Sequence, residues 1–361
     1  MVEIVNKCGN KEDSDMKKAV IIGHFGFGYN YSDGQTIKTQ NIYNALTKIY
    51  GEEQIRPIDT HGSITTFIKA PFMLLKTFFQ FKNIIILPAH RGLRVYAPII
   101  WIYKKFFHNV RVHYAVIGGW LPSLLEKKNI LRKTVKGLDY IFVETNTMKT
   151  CLESLGIKSV VMPNFKTIKL KSTPNAMSIQ DETLPLCTFS RVMEQKGIED
   201  AINAVVSIND RGKKTSYSLD IYGPINPAEK KWFEELMAKQ PGYIKYRGVV
   251  SQGQIIDTLS RYFALLFPTR FYTEGIPGTI IDAYASGLPV IVSKWQSYKD
   301  IVEEDITGFA YEFGNTDEFE SILYQILKNP SLIDSLRENC LHNANRYSAD
   351  EAIKILDERL K

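Results

Sequence analysis

Apolar and polar positions alternate along the 361-residue chain in an order that is typical of α/β proteins. Short continuous apolar runs, which predict strands buried on both faces, are followed by polar loops and then by segments of helix length. The clearest case is residues 263–295, which predict a strand ending at Phe267, a polar loop, a helix starting near Thr279 and a second strand starting at Val290. We expect Gly287 to end the helix, because glycine readily adopts the left-handed conformation that follows many helices.

Two carboxylates lie near the start of this predicted helix. Glu274 lies in the loop, and Asp282 follows eight positions later on the helix. Because open α/β sheets bind ligands at the carboxyl ends of their strands, both carboxylates are candidates for contacts with the hydroxyl groups of a bound polyol. The alternatives are that Glu274 is a solvated loop charge and that Thr279-x-x-Asp282 is a helix capping box.

A second candidate site follows the strand that is predicted from Leu186 to Ser190. Arg191 and Lys196 come directly after this strand, and a helix is predicted from Ile198. Two cations beside the positive end of a helix dipole form a site for an anion. The alternative interpretation is a solvated loop that happens to contain two cations.

These two segments resemble known sequence signatures. The first resembles the E-x7-E signature of retaining GT-B glycosyltransferases, specifically glycosyltransferase family 4, although Asp282 stands where the family usually has a second glutamate. The second resembles the G-R-L…K-G signature of the same family. The resemblance implies that Arg191 and Lys196 hold the donor diphosphate and that Glu274 holds sugar hydroxyls, so these three are the expected catalytic residues. The further donor contacts that it implies are Gly34, Gly248, Ile276, Gly278, Thr279 and, on the ribose, Asp282.

Glycines also follow the first predicted strand, which ends at Gly23. Their order is G-x-x-G-x-G, not the G-x-G-x-x-G order of dinucleotide-binding proteins, and no acidic residue follows about 20 positions later. A Rossmann oxidoreductase is therefore disfavoured. The next stretch resembles the first loop of family-4 enzymes, which implies that Gly34 approaches the donor phosphates, whereas Lys38 and Asn41 are equally well explained as helix surface.

The acceptor side is less well defined by the sequence. A double glycine, Gly118-Gly119, follows the strand predicted for residues 111–117, which places it at a ligand-binding edge of the sheet. His113 lies inside that strand. Family members place a histidine near this point as an acceptor contact, but we favour a core histidine whose hydrogen bonds are satisfied. His90 is a rival candidate for the acceptor contact.

The chain is long enough for two domains, and its 44% of hydrophobic residues allow each half to build a core. The segment Pro163-Asn164 resembles the end of the first GT-B domain, and a polar linker is predicted after it. We therefore expect an α/β GT-B fold, with two Rossmann-like domains facing a central cleft. The expected boundaries are 1–165 plus a C-terminal crossing helix at 346–361 for the acceptor-binding domain, and 166–345 for the nucleotide-sugar-binding domain.

The net charge of +6 is unevenly distributed. Residues 60–125 contain no Asp or Glu, but they contain eight Lys and Arg and twelve aromatic residues. Basic charge interleaved with aromatic side chains suits peripheral contact with an anionic membrane surface. The alternatives are an ordinary core with a solvated basic face and, less favoured because no recognition module is visible, nucleic acid.

The sequence also gives expectations about compartment and cofactors. The first 18 residues contain no apolar core of a signal peptide, and no apolar run approaches the roughly 20 residues of a membrane helix. We therefore expect a cytoplasmic protein, either free or at the inner face of the plasma membrane. Four separated cysteines and six histidines without metal-ligand spacing predict no metal site, and we expect no cofactor besides the donor substrate.

The predicted function is that of a retaining glycosyltransferase. It moves a sugar from a nucleotide-diphosphate sugar to a hydroxyl of a glycan or lipid-linked glycan in surface polysaccharide biosynthesis. The first alternative is a non-catalytic nucleotide-sugar or glycan binding protein on a degenerate GT-B fold. The second, disfavoured by the glycine order, is the Rossmann oxidoreductase.

Overall fold

The structure is a computed structural model, and it describes residues 16–28, 34–60, 64–167, 170–171 and 183–361, without the side chains of residues 64–67. The chain divides into two compact units. Unit 1 consists of the residues up to Phe165 together with Ala349–Lys361, and unit 2 consists of Lys166–Ser348. The C-terminal return to unit 1 thus begins at 349, three residues later than the expected start at 346.

Unit 1 is built on a parallel sheet whose strands are covered by helices on both faces. Its strands are β1 (Lys17–Gly23), β2 (Ile55–Asp59), β3 (Phe81–Ile86), β4 (Arg111–Ala115), β5 (Tyr140–Val143) and β6 (Val160–Val161). Its helices are α1 (Gly34–Tyr50), α2 (Ile64–Gln80), α3 (His90–Tyr103), α4 (Leu121–Lys127), α5 (Asn129–Lys136), α6 (Asn146–Ser154) and, from the chain's end, α14 (Ala349–Leu360). Continuous apolar strands such as β3 form because both of their faces are removed from water.

The two faces of this sheet have separate cores. One face packs against α2, α3 and α5, and the other packs against α1 and α14. The side chains that α14 buries there are Ala352, Ile353, Leu356 and Leu360. Hydrogen bonds also attach the C-terminal helix, because Tyr50 donates to Asp357 and the Asn83 amide donates to the carbonyl of Leu360. The C-terminal helix therefore completes unit 1.

Unit 2 repeats the layered arrangement with a second parallel sheet. Its strands are β7 (Leu184–Phe189), β8 (Tyr217–Tyr222), β9 (Ile244–Gly248), β10 (Ala264–Phe267), β11 (Val290–Ser293) and β12 (Gly308–Tyr311). Its helices are α7 (Ile198–Gly212), α8 (Lys230–Met237), α9 (Ile255–Leu259), α10 (Gly278–Ala285), α11 (Thr316–Lys328), α12 (Ser331–Asp334) and α13 (Arg337–Ala344). The stretch from β10 to β11 is the strand, loop, helix and strand that the apolar pattern predicts.

The strand orders locate the ligand-binding edge of each sheet. The order in unit 1 is β2-β1-β3-β4-β5-β6, and the order in unit 2 is β12-β11-β10-β7-β8-β9. Doubly wound sheets bind ligands where the winding direction changes, beyond the carboxyl ends of the two strands concerned. That point lies between β1 and β3 in unit 1 and between β7 and β10 in unit 2.

The predicted fold class is confirmed, since both units are α/β with helices on a six-stranded parallel sheet. Within the described part of the chain, no helix combines the length and the apolar character needed to cross a membrane.

Candidate active site

The loops after β7 and β10 bring two separate sequence motifs together in unit 2. The Nζ of Lys196 lies 2.6 Å from an Oε atom of Glu274. Lys196 belongs to a short 3-10 turn, Glu194–Lys196, after β7, and Glu274 belongs to the loop after β10. Their side chains are 16% and 18% exposed, so the pair lies at the protein surface without being fully solvated. Two motifs 78 residues apart in sequence therefore form one site at the switch point of the sheet.

Aromatic and hydroxyl groups support this ion pair. The Lys196 ammonium lies 5.0 Å from the ring centroid of Phe271 and 5.5 Å from that of Phe267, within the range of cation–π attraction. The buried hydroxyl of Thr269 donates to the same carboxylate oxygen of Glu274, over 3.2 Å. The lysine and the glutamate are therefore held in place by the loop that contains one of them.

Gly197 lets the two loops approach each other closely. It has a φ of 69°, a left-handed conformation that favours glycine. A Cβ added there would lie only 1.8 Å from the carbonyl oxygen of Pro268. The backbone of Arg270 also donates to the carbonyl of Gln195 over 2.8 Å. Any side chain at position 197 would therefore separate the loops and move Lys196 away from Glu274.

The start of α10 leaves backbone donors free beside this pair. Helix α10 begins at Gly278, and its N-cap residue, Pro277, supplies no capping side chain. The amide groups of Gly278 and Thr279 have no acceptor within the described residues, whereas those of Ile280 and Ile281 bond to Pro277. Free amides at a helix start attract anions. The hydroxyl of Thr279 is buried and has no hydrogen-bond partner in the same part of the chain.

The capping-box interpretation of Thr279-x-x-Asp282 is wrong. Because Pro277 is the N-cap, Thr279 is the second helical residue and Asp282 is the fifth, which is beyond the position that a capping carboxylate needs. Asp282 is instead buried and ion-paired with Lys166. Burial raises the pKa of the Asp282 carboxyl above its ordinary value, and the neighbouring Lys166 partly opposes that shift. The carboxylate at the second position of the signature is therefore ion-paired with Lys166 of this chain.

Arg191 is placed differently from Lys196. Its side chain is exposed, and within the described residues its guanidinium has no ion-pair or hydrogen-bond partner. Gly223, after β8, allows the backbone to approach the residue before Arg191 closely. A Cβ at position 223 would lie 1.9 Å from the carbonyl oxygen of Ser190. Arg191 is thus a free cation on a well-defined backbone.

The remaining predicted donor contacts have distinct environments. Gly248 ends β9 with a φ of 80°, and its carbonyl accepts from the amide of Gly223 over 2.9 Å, so the ends of β8 and β9 are joined. Ile276 is 3% exposed and packs in the core beneath the loop after β10. Its side chain therefore supports the Glu274 loop from the inside.

In unit 1, the switch point lies between the glycine loop after β1 and the start of α3. Gly34 is exposed and is the first residue of α1. Asp59, at the end of β2, accepts hydrogen bonds from the amides of Phe25 and Phe27 over 2.9 and 3.0 Å. Sequence reasoning missed this residue, which shapes the glycine loop from the neighbouring strand.

The two candidate histidines lie in different places. His90 is exposed as the first residue of α3, after β3, and its ring contacts Trp120. Burial, followed by the charges of Arg94 and Arg91, lowers the pKa of His90. His113 is 0% exposed, lies 2.9 Å from the amide oxygen of Asn83 and stacks on Tyr140. Its assignment to the acceptor side is therefore wrong, and its core location is as expected. The expectation that its hydrogen bonds are satisfied is wrong, because Nδ1 is buried without a hydrogen-bond partner in the described residues.

The double glycine follows β4 in the predicted position. Gly118 is half-buried and has a φ of 74°, and Gly119 is buried. The indole of Trp120 donates to the carbonyl of Ile117 over 2.7 Å, which closes the turn. This turn lies at the carboxyl edge of the sheet, two strands from the switch point.

Lys38 is part of the protein interior, so the helix-surface interpretation of this residue is wrong. Its Nζ lies 2.7 Å from a carboxylate oxygen of Glu144 and 2.9 Å from the carbonyl oxygen of Val116. The two side chains are 2% and 3% exposed. Asn41 on the same helix donates to the carbonyl of Phe165 over 3.1 Å, at the end of unit 1. Both residues are therefore structural.

Sequence reasoning also missed Lys166. Its backbone amide donates to the carbonyl of Tyr347, and the residue forms an isolated bridge with Ser348, so it joins the two segments where the chain passes between units. No spacing rule relates Lys166 to Asp282. Across the described residues, no group of three or more His, Cys, Asp or Glu side chains has a metal-binding arrangement.

Comparison with known proteins gives a family match within unit 2. Residues 173–346 match the family model described as glycosyl transferases group 1. This match covers most of unit 2 and contains Arg191, Lys196, Glu274 and Asp282.

Two relatives match part of the chain. One is the amylovoran biosynthesis glycosyltransferase AmsK of Erwinia amylovora, 24% identical over 40% of this chain and 36% of its own length. The other is alpha-galactosylglucosyldiacylglycerol synthase of Streptococcus pneumoniae, 20% identical over 54% of this chain and 49% of its own length. The matches thus span between a third and a half of these relatives.

Solved structures share the whole fold. Sucrose-phosphate synthase from Thermosynechococcus elongatus superposes with a TM-score of 0.76 at 15% identity, covering 94% of this chain and 98% of that one. HepE of Anabaena, solved with UDP and glucose, gives 0.70 at 14% identity, covering 95% and 99%. These identities establish the fold alone. They show that the chain has the GT-B fold, and the match to the glycosyl transferases group 1 model lies within residues 173–346.

Proposed function

We propose that this chain is a retaining glycosyltransferase of family 4 that transfers a sugar from a nucleotide-diphosphate sugar to a hydroxyl of a glycan or lipid-linked glycan. The observation that carries the proposal is the Lys196–Glu274 contact of 2.6 Å at the switch point of unit 2. It places a cation suited to a diphosphate beside a carboxylate suited to sugar hydroxyls. HepE was solved with UDP and glucose, which supports the same class of donor for this chain.

The proposed roles follow from the charge that develops during transfer. Breaking the bond between the sugar and the diphosphate increases negative charge on the departing phosphate, and Lys196 and Arg191 neutralise it. The free amides of Gly278 and Thr279 at the start of α10 add their partial positive charge. Preorganised donors of this kind supply a large share of enzymatic rate enhancement. Because these groups are cationic or dipolar, no metal ion is required in this proposal.

Glu274 orients the donor sugar through its carboxylate oxygens. One oxygen is engaged by Lys196, and the carboxylate retains capacity to accept from sugar hydroxyls. In the retaining mechanism that we propose, the departing phosphate assists removal of the acceptor proton. The name of the pneumococcal relative, a synthase of a glycosylated diacylglycerol, supports a lipid-linked acceptor. We place the reaction in surface polysaccharide synthesis, in the cytoplasm or at the inner face of the plasma membrane.

The test is the release of nucleoside diphosphate from a panel of UDP-, GDP-, ADP- and dTDP-sugars, with a chelator present. We expect slow hydrolysis of one donor at an unchanged rate in chelator. Loss of activity in chelator would overturn the metal-free site. Absence of both release and calorimetric binding across the panel would overturn the enzyme proposal.

One observation favours the non-catalytic alternative. Asp282, where the family signature has its second glutamate, is buried against Lys166 rather than open to a ribose. A binding protein on this fold would hold a donor without turning it over. Donor binding without release, unchanged when glycan and lipid-linked acceptors are added, would favour that alternative.

A further inference from the structure

An outer surface of unit 1 combines exposed apolar side chains with unpaired basic ones. Fifteen large hydrophobic side chains are exposed among the described residues, and six of them lie between residues 68 and 130. Scattered exposed hydrophobic residues are normal, but a concentration on adjacent elements indicates an interaction surface. The six side chains are Ile68, Phe72, Trp101, Ile102, Phe106 and Ile130.

Three helices that pack side by side present this surface. Helix α3 contacts α2 on one side and α5 on the other. Each of the three buries its inner face in the core on the same side of the sheet, as shown by Leu74 of α2, Tyr96 of α3 and Val135 of α5. Their exposed residues therefore lie on the outer side of one helical layer.

The exposed residues follow helical spacing. On α2, Ile68 and Phe72 are one turn apart and are 68% and 79% exposed, and the exposed Lys76 follows one turn later. Positions 91, 94, 98, 101 and 105 on α3 and its extension also repeat every three or four residues. They are Arg91, Arg94, Pro98, Trp101 and Lys105. Helices α2 and α3 thus each carry a mixed stripe of basic and apolar side chains, in which Pro98 is half-buried and the others are exposed.

A shallow pocket of about 470 Å³ joins α3 to α5 on this surface. Its basic lining residues are Arg94, Lys127 and Lys128, and its apolar lining includes Ile130, which is 80% exposed. The Lys105 ammonium lies 3.8 Å from the Trp101 ring centroid, so cation and indole share one location. Basic side chains next to exposed apolar ones suit a molecule that has a phosphate group and an apolar portion.

The net charge of the surface is strongly positive. In the described part of the chain, none of its exposed bases forms an ion pair with a carboxylate; these bases are Lys69, Lys76, Arg91, Arg94, Lys105, Lys127, Lys128, Lys133 and Lys136. Residues 60–138, which contain all of these bases, include a single acidic residue, the exposed Glu126 beside Lys127. A surface that is both basic and apolar complements the headgroups and acyl boundary of an anionic bilayer.

We propose that unit 1 binds the surface of an anionic lipid bilayer through the outer face of α2, α3 and α5. The basic stripes contact the headgroups, and Phe72, Trp101 and Ile130 enter the boundary between headgroups and acyl chains. This proposal rests on the proposed function for its lipid-linked acceptor, because a protein held at the bilayer meets such an acceptor in two dimensions. Vesicle binding itself needs neither donor nor acceptor.

The test is cosedimentation of the full chain with vesicles at low salt. We expect binding to vesicles of equal phosphatidylglycerol and phosphatidylcholine, and no binding to phosphatidylcholine alone. The triple variant R91Q/R94Q/K105Q should lower the partition coefficient by roughly 100-fold, since each base near an anionic surface contributes roughly fivefold. F72S/I130S should lower it by roughly tenfold for each side chain.

The matched control is K214Q/K239Q/K245Q. It removes the same charge from exposed positions of unit 2 that form no ion pair in the described structure. An equal loss of binding by this control would overturn the proposal, because net charge alone would then explain the attraction. Absence of wild-type binding to the anionic vesicles, or equally strong binding to a single-stranded oligonucleotide, would also overturn it.

Two further readouts separate this proposal from the donor site. Bromine-labelled lipid should quench Trp101 fluorescence, and Trp101→Phe should lose that quenching; an unquenched wild type would contradict insertion of this face. R91Q/R94Q/K105Q should retain the donor hydrolysis of the wild type, because none of its three positions belongs to the site of unit 2. Lost donor hydrolysis with intact vesicle binding would count against the proposed function alone.

Discussion

Both units place a Lys–Glu pair toward the carboxyl side of a parallel sheet, but the two pairs have different surroundings. In unit 1, Lys38 and Glu144 lie 2.7 Å apart and are 2% and 3% exposed. In unit 2, Lys196 and Glu274 lie 2.6 Å apart and are 16% and 18% exposed. The separations are nearly equal, so the distance between charges does not distinguish a structural pair from a functional one.

Burial and position make that distinction. The Lys38 ammonium of the buried pair also donates to the carbonyl of Val116, and both side chains are almost completely buried. The open pair lies between the loops after β7 and β10, where the sheet changes winding direction, and free amides of α10 lie in the same region. A cation–carboxylate contact is therefore a candidate catalytic or binding site only where the fold leaves it accessible to a ligand.

The largest expected effect is on the stability of unit 1. Lys38→Met leaves the Glu144 carboxylate buried without its cation, which should lower the free energy of unfolding by about 3–5 kcal/mol. Urea unfolding at neutral pH measures this loss. Replacing both partners, in K38M/E144L, should recover most of the stability because no uncompensated charge remains.

The control for this prediction lies on the same helix. Lys48→Met replaces an exposed lysine of α1 and should change the unfolding free energy by no more than about 0.5 kcal/mol. Equal losses in K38M and K48M would show that the buried pair contributes nothing specific.

The next effect is on turnover in unit 2. Lys196→Met keeps an apolar stem beside Phe267 and Phe271 but removes the charge, so we expect nucleoside diphosphate release to fall by roughly 10²- to 10³-fold. Thermal unfolding should change little, because a partly exposed pair contributes modestly to stability. Rates on the donor identified by the panel measure the first effect.

A matched lysine makes this prediction specific. Lys245→Met removes an exposed lysine of the same unit that forms no ion pair with the described residues, and it should leave turnover unchanged. If Lys196→Met also retained near-normal turnover, Lys196 would have no catalytic role. The Lys196–Glu274 and Lys38–Glu144 pairs would then differ only in burial.

The sequence alone predicts the residues of the accessible pair better than those of the buried one. In unit 2, strand ends, glycines and charged residues are close in sequence to the elements that position them. Local patterns therefore suffice to propose Arg191, Lys196 and Glu274, of which the structure brings Lys196 and Glu274 into contact. The ion pair of Asp282 was missed because Lys166 lies 116 residues away and is brought there by the path of the chain between units. In unit 1, Glu144 was missed as the partner of Lys38 for the same reason.

The histidines show the limit of local patterns more directly. Both follow or occupy predicted strands, and only the strand order shows that His90 lies at the switch point. His113 lies one strand further along the sheet and points into the core next to the C-terminal helix, whose contribution to unit 1 comes from residues more than 230 positions away. Long-range packing, not local pattern, decides which histidine can meet a ligand.

The smallest predicted effect concerns the stability of unit 1 in mild acid. Burial lowers the pKa of His113 to about 3, with the charges of Arg111 and Lys104 acting in the same direction and Asp139 opposing them. Between the ordinary histidine pKa of about 6.5 and that value, the unfolded chain binds a proton that the folded chain does not. Stability must therefore fall as the pH falls through this range.

From pH 7.5 to pH 5.5, this proton should lower the unfolding free energy of the wild type by about 1.4 kcal/mol relative to His113→Gln, which has no titrating group there. Urea unfolding of both proteins at the two pH values measures the difference in pH dependence, so any pH-independent cost of the substitution cancels. His108→Gln, at an exposed position, should behave like the wild type. Parallel pH profiles for wild type and His113→Gln would mean that the histidine takes up its proton within the folded unit, and the sealed core around it would then have to admit water.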